Sequence, residues 1–300
     1  MQNKKKAYLA LLIVCIFWGT TYLAIKIGVA TIPPFLFSGI RQLTAGIILL
    51  IILPLFKMKY SFNWQDIGKQ AIPAILMIVC GNALLGWAEQ YIPSGLTALI
   101  ASAIPLYVAM INFAVPQVKR VFSWKIVVGL LLGSIGIILV FRDNLSDIAQ
   151  PDYFNGILVT LGASFCWSLG TVYMKRSSFQ TNSFVNAAFQ FTIAGLILMI
   201  VSLITEDYSH IEEVTTKSLW SLIYMIFFGS IIPYMCYLYA IEHLKVGIVS
   251  VYAYVNPFIA LLLGAAILQE RLTYTTGFAF IATAGGIYCI NSGNKVIIKV

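Results

Sequence analysis

Arg41 stands about eight residues past Pro33 inside a long apolar run, Glu89 closes another such run, and Lys26 and Lys175 sit near the ends of two more. If the run is a helix in a bilayer, eight residues carry Arg41 ~10–12 Å inside it. A cation there costs ~2.5–3.5 kcal/mol on insertion scales, so an ionisable group at that depth is a candidate for function. The guanidinium could bind a solute carboxylate or a gating partner; it could equally bond backbone carbonyls between helices or snorkel outward. Glu89 could pair with Arg41, carry a coupling proton, or be an interfacial acid at a span end. Lys26 and Lys175 have the reach to snorkel, with a gating role for Lys26 as the alternative.

An aromatic set surrounds these groups: Trp18, Tyr22, Trp87, Trp167, Tyr173, Tyr234, Tyr237, Tyr239, Tyr252 and Tyr254. Trp18 and Trp167 lie deeper in their runs than an interfacial belt requires, which puts them on opposite walls of an expected cavity. Asn82 and Gln90 add hydrogen-bonding groups. Trp18, Tyr22, Arg41, Asn82, Trp87, Gln90, Trp167, Tyr234 and Tyr237 thus form the candidate substrate-binding set, apolar and aromatic with a few polar anchors. Ordinary packing would account for any one of them alone. Pro105 and Pro257 follow small-residue faces (Gly95, Ala98, Ala101, Ser102; Gly247, Ser250, Ala253) and are candidate bending points, since proline removes a backbone donor.

The elements that must position these residues follow from composition. Of 300 residues, 60% are hydrophobic and 10% charged, with mean hydropathy +0.90; a soluble domain has about a quarter of its residues charged. The apolar residues come in runs of roughly twenty, the length that crosses a ~30 Å hydrocarbon layer. This is an all-α membrane pattern. Ten spans are expected, at 8–28, 34–56, 71–91, 95–116, 125–141, 154–174, 184–205, 219–240, 246–268 and 275–292. Lys4-Lys5-Lys6 before the first run resembles a signal peptide, but the run is too long for one and reads as a retained span.

The net charge of +8 is scattered over span ends and forms no nucleic-acid patch. Cys15, Cys80, Cys166, Cys236 and Cys289 lie in apolar runs without metal-ligand spacing, so no metal or cofactor is expected. His210 and His243 make no H-E-x-x-H, and no G-x-x-x-x-G-K-[ST] loop is present, which argues against an enzyme and against ATP hydrolysis by this chain. The fifth span carries a Gly129, Gly133, Gly136 ridge whose spacing suits packing and permits a homodimer. With a cytoplasmic N-terminus, fourteen Lys and Arg fall at cytoplasmic ends (Lys4, Lys5, Lys6, Lys57, Lys59, Lys69, Lys119, Arg120, Lys125, Lys175, Arg176, Lys245, Lys295, Lys299) against Lys26, Arg142, Lys217 and Arg271 outside. That bias places both termini in the cytoplasm.

The chain also repeats itself. An offset of 149 takes Trp18 to Trp167, Lys26 to Lys175 and Arg41 to Gln190; an offset of 152 takes Ala88 to Ala240, Gly95 to Gly247, Ala101 to Ala253, Pro105 to Pro257 and Gln117 to Gln269. Residues 1–142 and 153–293 read as two copies of a five-helix module, the second inverted because five is odd. Inverted repeats that rock about a midplane site are a plan of secondary transporters.

Trp18-Gly19-Thr20-Thr21-Tyr22, Pro33-Pro34, Arg41, Gly247, Pro257 and Glu270-Arg271-Leu272 together resemble the EamA family of the drug/metabolite transporter superfamily, over essentially the whole chain. The first copy departs from it, with Val118-Lys119 where the second has Glu270-Arg271. The resemblance implies ten helices, a central cavity between the halves, and movement of small metabolites, often amino-acid export, in the inner membrane of a prokaryote. The expected partners are a small-molecule substrate, the lipid bilayer, and a proton or an exchanged solute as driving force. Uptake of a sugar derivative is the alternative within transport, and a channel or non-transporting membrane protein the alternative outside it.

Overall fold

The computed structural model describes residues 2–55, 64–114, 124–143, 150–177, 181–209, 211–244, 246–249, 252–270 and 273–297. These runs are rich in Ile and Val, yet they are helical and no strand occurs among the described residues. The reason is the solvent: in hydrocarbon each backbone N–H and C=O must be satisfied internally, which a helix does within its own segment. We number the helices α1 (Gln2–Gly28), α2 (Pro34–Leu55), α3 (Trp64–Pro73, continuing through Ala74–Ala83 and Leu84–Ala88), α4 (Ser94–Ala101), α5 (Ile104–Ala114) and α6 (Trp124–Asp143). The second half holds α7 (Pro151–Arg176), α8 (Ser183–Thr205), α9 (Thr216–Tyr224, continuing through Met225–Ile231 and Ile232–His243), α10 (Val246–Val249), α11 (Tyr252–Leu268) and α12 (Tyr274–Ile297).

Helix starts are written locally. Pro34 opens α2 and Pro151 opens α7, at the position where proline's missing N–H costs nothing. Asn182 caps α8 by accepting from Val185 N at 3.0 Å, and Thr215 caps α9 by accepting from Ser218 N at 3.2 Å. Two middles are unusual. Ala74–Ala83 in α3 and Met225–Ile231 in α9 are π-helical, a conformation that is rare and frequent at functional sites.

Among the described residues six helices are long and apolar enough to cross a membrane: Lys4–Gly28, Pro34–Pro54, Gln65–Ala88, Pro151–Arg176, Phe184–Thr205 and Thr216–His243. Ser94–Val108 and Val255–Leu268 are shorter apolar helices. The span expected at 95–116 is broken: α4 ends at Ala101 and α5 begins at Ile104, just ahead of Pro105. The carbonyl of Ile104 at this break accepts from Ser168 Oγ at 3.2 Å. In the span expected at 246–268 the described residues lie in α10 and α11, with Ser250 and Val251 outside the described residues, and Pro257 lies inside α11. Lys57, Lys59, Gln117, Val118, Lys119, Arg120, Lys245, Arg271, Leu272 and Lys299 lie outside the described residues.

Each half reaches into the other. α1 packs on α9 and α11, while α7 packs on α3, α4 and α5. The closest pairs are α2 with α8 and α6 with α12. At the first, a Cβ on Gly46 would lie 2.6 Å from Thr192 N and one on Gly195 would lie 2.4 Å from Leu43 N. The offset of 149 maps 43 to 192 and 46 to 195, so this contact is self-reciprocal, as at a two-fold axis. At the second, a Cβ on Gly286 would meet Gly129 O at 2.7 Å and Gly133 N at 2.8 Å, and one on Gly136 would meet Ala279 O at 2.9 Å. The glycine ridge of α6 is therefore covered by α12 of the same chain rather than left open for a second copy.

Gly195→Ala drives its methyl into the backbone of α2 and is expected to destabilise the protein by ~1–3 kcal/mol, as overpacking does. Gly162→Ala on α7, where a Cβ meets nothing within 4 Å, is expected to be neutral or stabilising by up to ~1 kcal/mol through helix propensity. Thermal unfolding of the two variants in one detergent checks the contrast; equal midpoints would contradict it.

Candidate functional site

Arg41 is buried where α2, α3 and α9 meet. Its Nε donates to Ser230 Oγ at 2.7 Å, Nη1 to Asn82 Oδ1 at 2.9 Å and Nη2 to Gly229 O at 3.2 Å. All three acceptors are neutral, and all three lie in the π-helical middles of α3 and α9. A widened turn changes which carbonyls are tied to their own helix, and Gly229 O is turned to the guanidinium. Arg41 therefore neither snorkels nor meets Glu89, and the pairing of those two, one of the alternatives open for Glu89 from sequence, does not form.

The position 149 residues on builds the matching site without the charge. Gln190 on α8 is fully buried. It accepts from the Tyr234 hydroxyl and donates through Nε2 to Gln70 Oε1 at 2.6 Å, and Gln70 donates to Asn186 Oδ1 at 2.7 Å. Arg41 bonds Asn82 and Gln190 bonds Tyr234, and the offset of 152 carries 82 to 234. The same correspondence holds at the helix ends. Lys26 Nζ donates to the carbonyls of Glu89 and Ile92, the latter at 3.0 Å, while Lys175 Nζ donates to the carbonyl of Ile241 at 3.2 Å; 89 and 241 differ by 152. Both lysines thus close the C-terminal end of a neighbouring helix, where carbonyls lack intrahelical partners.

Between the two polar sites lies an aromatic cluster. Trp18 and Trp167 touch edge to face, ring centroids 5.6 Å apart, rather than facing each other across a cavity. Tyr237 lies 4.9 Å and Tyr252 5.3 Å from Trp18, and Tyr237 lies 6.3 Å from Tyr234. All five rings are buried. Tyr252, on α11, belongs to the cluster as firmly as the four rings named from sequence in the binding set. Tyr22 is half-buried on α1, one turn before Lys26.

The remaining candidates gather at the Lys26 end. Trp87 and Gln90 do not reach the aromatic cluster; they line a cleft of about 490 Å³ with Ile32, Pro33, Glu206 and Glu213. Two acids hold helix starts beside it. Glu206 accepts from Phe35 N at 2.7 Å and Leu36 N at 2.8 Å, and Glu270 accepts from Ser94 N and Ser94 Oγ at 2.8 Å each and from Gly95 N at 3.1 Å. A carboxylate on a helix N-terminus gains from both the free N–H groups and the dipole. Glu89, with no exposed surface, has neither side-chain oxygen bonded. Pro105 and Pro257 are buried in α5 and α11. Among the described residues no group of three His, Cys, Asp or Glu is placed to hold a metal.

Comparison with known proteins agrees with this architecture. The EamA-like transporter family matches twice, over residues 5–142 and 154–292. The chain is 32% identical over 268 residues to the uncharacterized inner membrane transporter YedA of Escherichia coli strain K12, covering 88% of this chain and 83% of that protein. It is 25% identical over 284 residues to the uncharacterized transporter YoaV of Bacillus subtilis strain 168, covering 94% and 96%, and 27% identical over 272 residues to protein PecM of Dickeya dadantii strain 3937, covering 89% and 86%. One solved crystal structure at 17% identity covers 99% of both chains with a TM-score of 0.71, a likeness of fold.

Glu206→Ala removes the acceptor for two N–H groups at the start of α2 and is expected to cost ~1–2 kcal/mol, the scale of a lost cap. Glu212→Ala, exposed on the adjoining turn, is expected to change nothing measurable. Unfolding midpoints of the purified variants check this; an unchanged Glu206→Ala midpoint would mean the carboxylate does not hold the helix.

Proposed function

This chain belongs to the EamA-like transporter family, and from that premise we propose that it is a secondary carrier exporting a small carboxylate-bearing metabolite, an amino acid or a close relative, across an inner membrane. It works by alternating access between two inverted five-helix repeats, residues 1–142 and 153–293, with both termini cytoplasmic. The observation that carries the reading is Arg41: a buried guanidinium bonded only to neutral groups, at the contact of helices from both halves. An ionic group kept in a span without an opposite charge is favourably placed to receive an anionic one. The reciprocal pairs of 41 with 82 and 190 with 234, and of 26 with 89 and 175 with 241, support the duplication. The curated relatives named as inner membrane transporters support the location.

In this reading Trp18, Trp167, Tyr237 and Tyr252 are the closed centre of the pathway. Their edge and tilted contacts are worth ~0.5–1.5 kcal/mol each beyond burial, so a solute's own apolar surface can replace them. Asn82 and Ser230 hold the guanidinium in place, and a carboxylate takes the N–H groups it has to spare; Arg has five.

Flux of labelled amino acids and sugars in proteoliposomes tests this. One solute, most simply an amino acid, is expected to move saturably and to show counterflow. Arg41→Gln, which installs the residue found at the equivalent position 190, is expected to weaken its binding about 10- to 100-fold, the scale of a lost charge-assisted bond of ~1.5–3 kcal/mol. Unaltered flux would make Arg41 a structural tie. Movement of a sugar alone would favour the uptake reading, and no flux of any member would reject both.

A further inference from the structure

Three elements converge on Glu89. It follows the last residue of α3; Lys26 of α1 donates to the backbone carbonyls of Glu89 and Ile92; and Glu270, after α11, grips Ser94 and Gly95 just beyond. The charges of Lys26 and Glu270 both act on Glu89, and Glu89 acts on Tyr22. α7 packs against the same end of α3, bringing the phenol of Tyr153 into the apolar cluster of Ala88 and Ile92. α2 offers the neutral Ser38 beside Gly86, while Arg41 is committed to Asn82, seven residues or about 10 Å lower on α3.

Two carboxylates therefore lie near one ammonium, which itself bonds backbone carbonyls. Glu270 uses both oxygens on helix N–H groups and Ser94 Oγ. Glu89 has no exposed surface and no bond to either oxygen. Its charged form is the costly one, and a proton removes the cost. The flanking residues Trp87 and Gln90 line the cleft at this end, so a small rotation of the turn after α3 exposes the carboxyl to water.

We propose that Glu89 is the proton-binding site of this carrier, taking up a proton from the Lys26-end cleft as the acid and releasing it as the carboxylate when that end opens. This rests on the carrier reading above for its coupling role, though the proton site itself does not. The exchange is of one proton with water and changes no other bond.

Two measurements on purified full-length protein test it, with Glu89→Gln and Glu89→Asp beside the parent chain. In infrared difference spectra across a pH step, which need no solute, the parent is expected to show a protonated-carboxyl band that grows as pH falls. Glu89→Gln should lose that band and Glu89→Asp keep it, shifted. In proteoliposomes loaded with the labelled amino-acid pool, a one-unit pH gradient is expected to support about tenfold accumulation by the parent if one proton moves per solute, since one unit corresponds to a factor of ten. Glu89→Gln should lose that accumulation and keep counterflow, and Glu89→Asp should keep both. A band unchanged in Glu89→Gln, or parent accumulation indifferent to the gradient while counterflow persists, would overturn the proposal while leaving the carrier standing. Absence of counterflow in the parent would instead strike the carrier reading, and the infrared band would still decide the proton site.

Discussion

Polar groups buried between these helices have no water to turn to, and the interior of this chain is arranged around that fact. A guanidinium withdrawn from water must fill its donors with protein acceptors or pay the cost of burial. Arg41 does so by drawing on two other helices at once, Asn82 of α3 and Ser230 and Gly229 of α9. Both donate those acceptors from π-helical turns, where the backbone departs from the i to i+4 pattern. The close crossing of α2 and α8 at Gly46 and Gly195 brings Arg41 and Gln190 into the core together. One polar requirement thus dictates a helix conformation, a helix crossing and the meeting of the two halves.

The exchange of partners between halves has a mechanical consequence. α1 lies against α9 and α11, and α7 lies against α3, α4 and α5, so neither half closes on itself. A rocking motion must slide α1 and α7 over the other half's helices, across the aromatic cluster that both tryptophans enter. Aromatic contacts tolerate such sliding, because offset, tilted and edge geometries are close in energy. In the carrier proposed above, the hydrogen bonds of Lys26 and Lys175 to helix ends would be the points to release.

Much of this was legible in the sequence. Run lengths gave the helices, because a bilayer fixes the length of what crosses it, and Trp18, Lys26 and Arg41 kept their matches 149 residues on. Arg41, Tyr234, Tyr237 and Trp167 are all buried where helices of the two halves meet. What escaped was the set of partners. Arg41 was weighed against Glu89 because both lie toward the same half of the membrane, yet Asn82, a serine and a π-helical carbonyl took that place, and none of them leaves a periodic signal. The break before Pro105 was foreseeable from proline, whereas α11 passes through Pro257 unbroken, with the Asn256 amide, nitrogen turned inward, reaching Tyr252 O at 3.0 Å and Cys15 O at 3.1 Å. Trp87 and Gln90 have the right chemistry for a solute site but line a cleft at the helix end, since Trp87 lies in the last turn of α3 and Gln90 just after it.

The two ends of the molecule are not equally fastened, and the difference is written in four residues. At the Lys26 end, Glu206 holds the start of α2 and Glu270 holds the start of α4. The offset of 149 takes Glu206 back to Lys57, and the offset of 152 takes Glu270 back to Val118. Neither a lysine ammonium nor a valine side chain can accept an N–H bond. At the Lys175 end the start of α8 relies instead on the neutral Asn182. Charge-assisted bonds are roughly twice as strong as neutral ones, so in the carrier proposed above the exchange would be biased toward keeping the Lys26 end shut. On the proposed mechanism a duplicated fold would supply two arrangements of similar energy; carboxylates present in one copy alone would make them unequal, and a solute or a proton that loosens the Lys26 end would have that inequality to overcome.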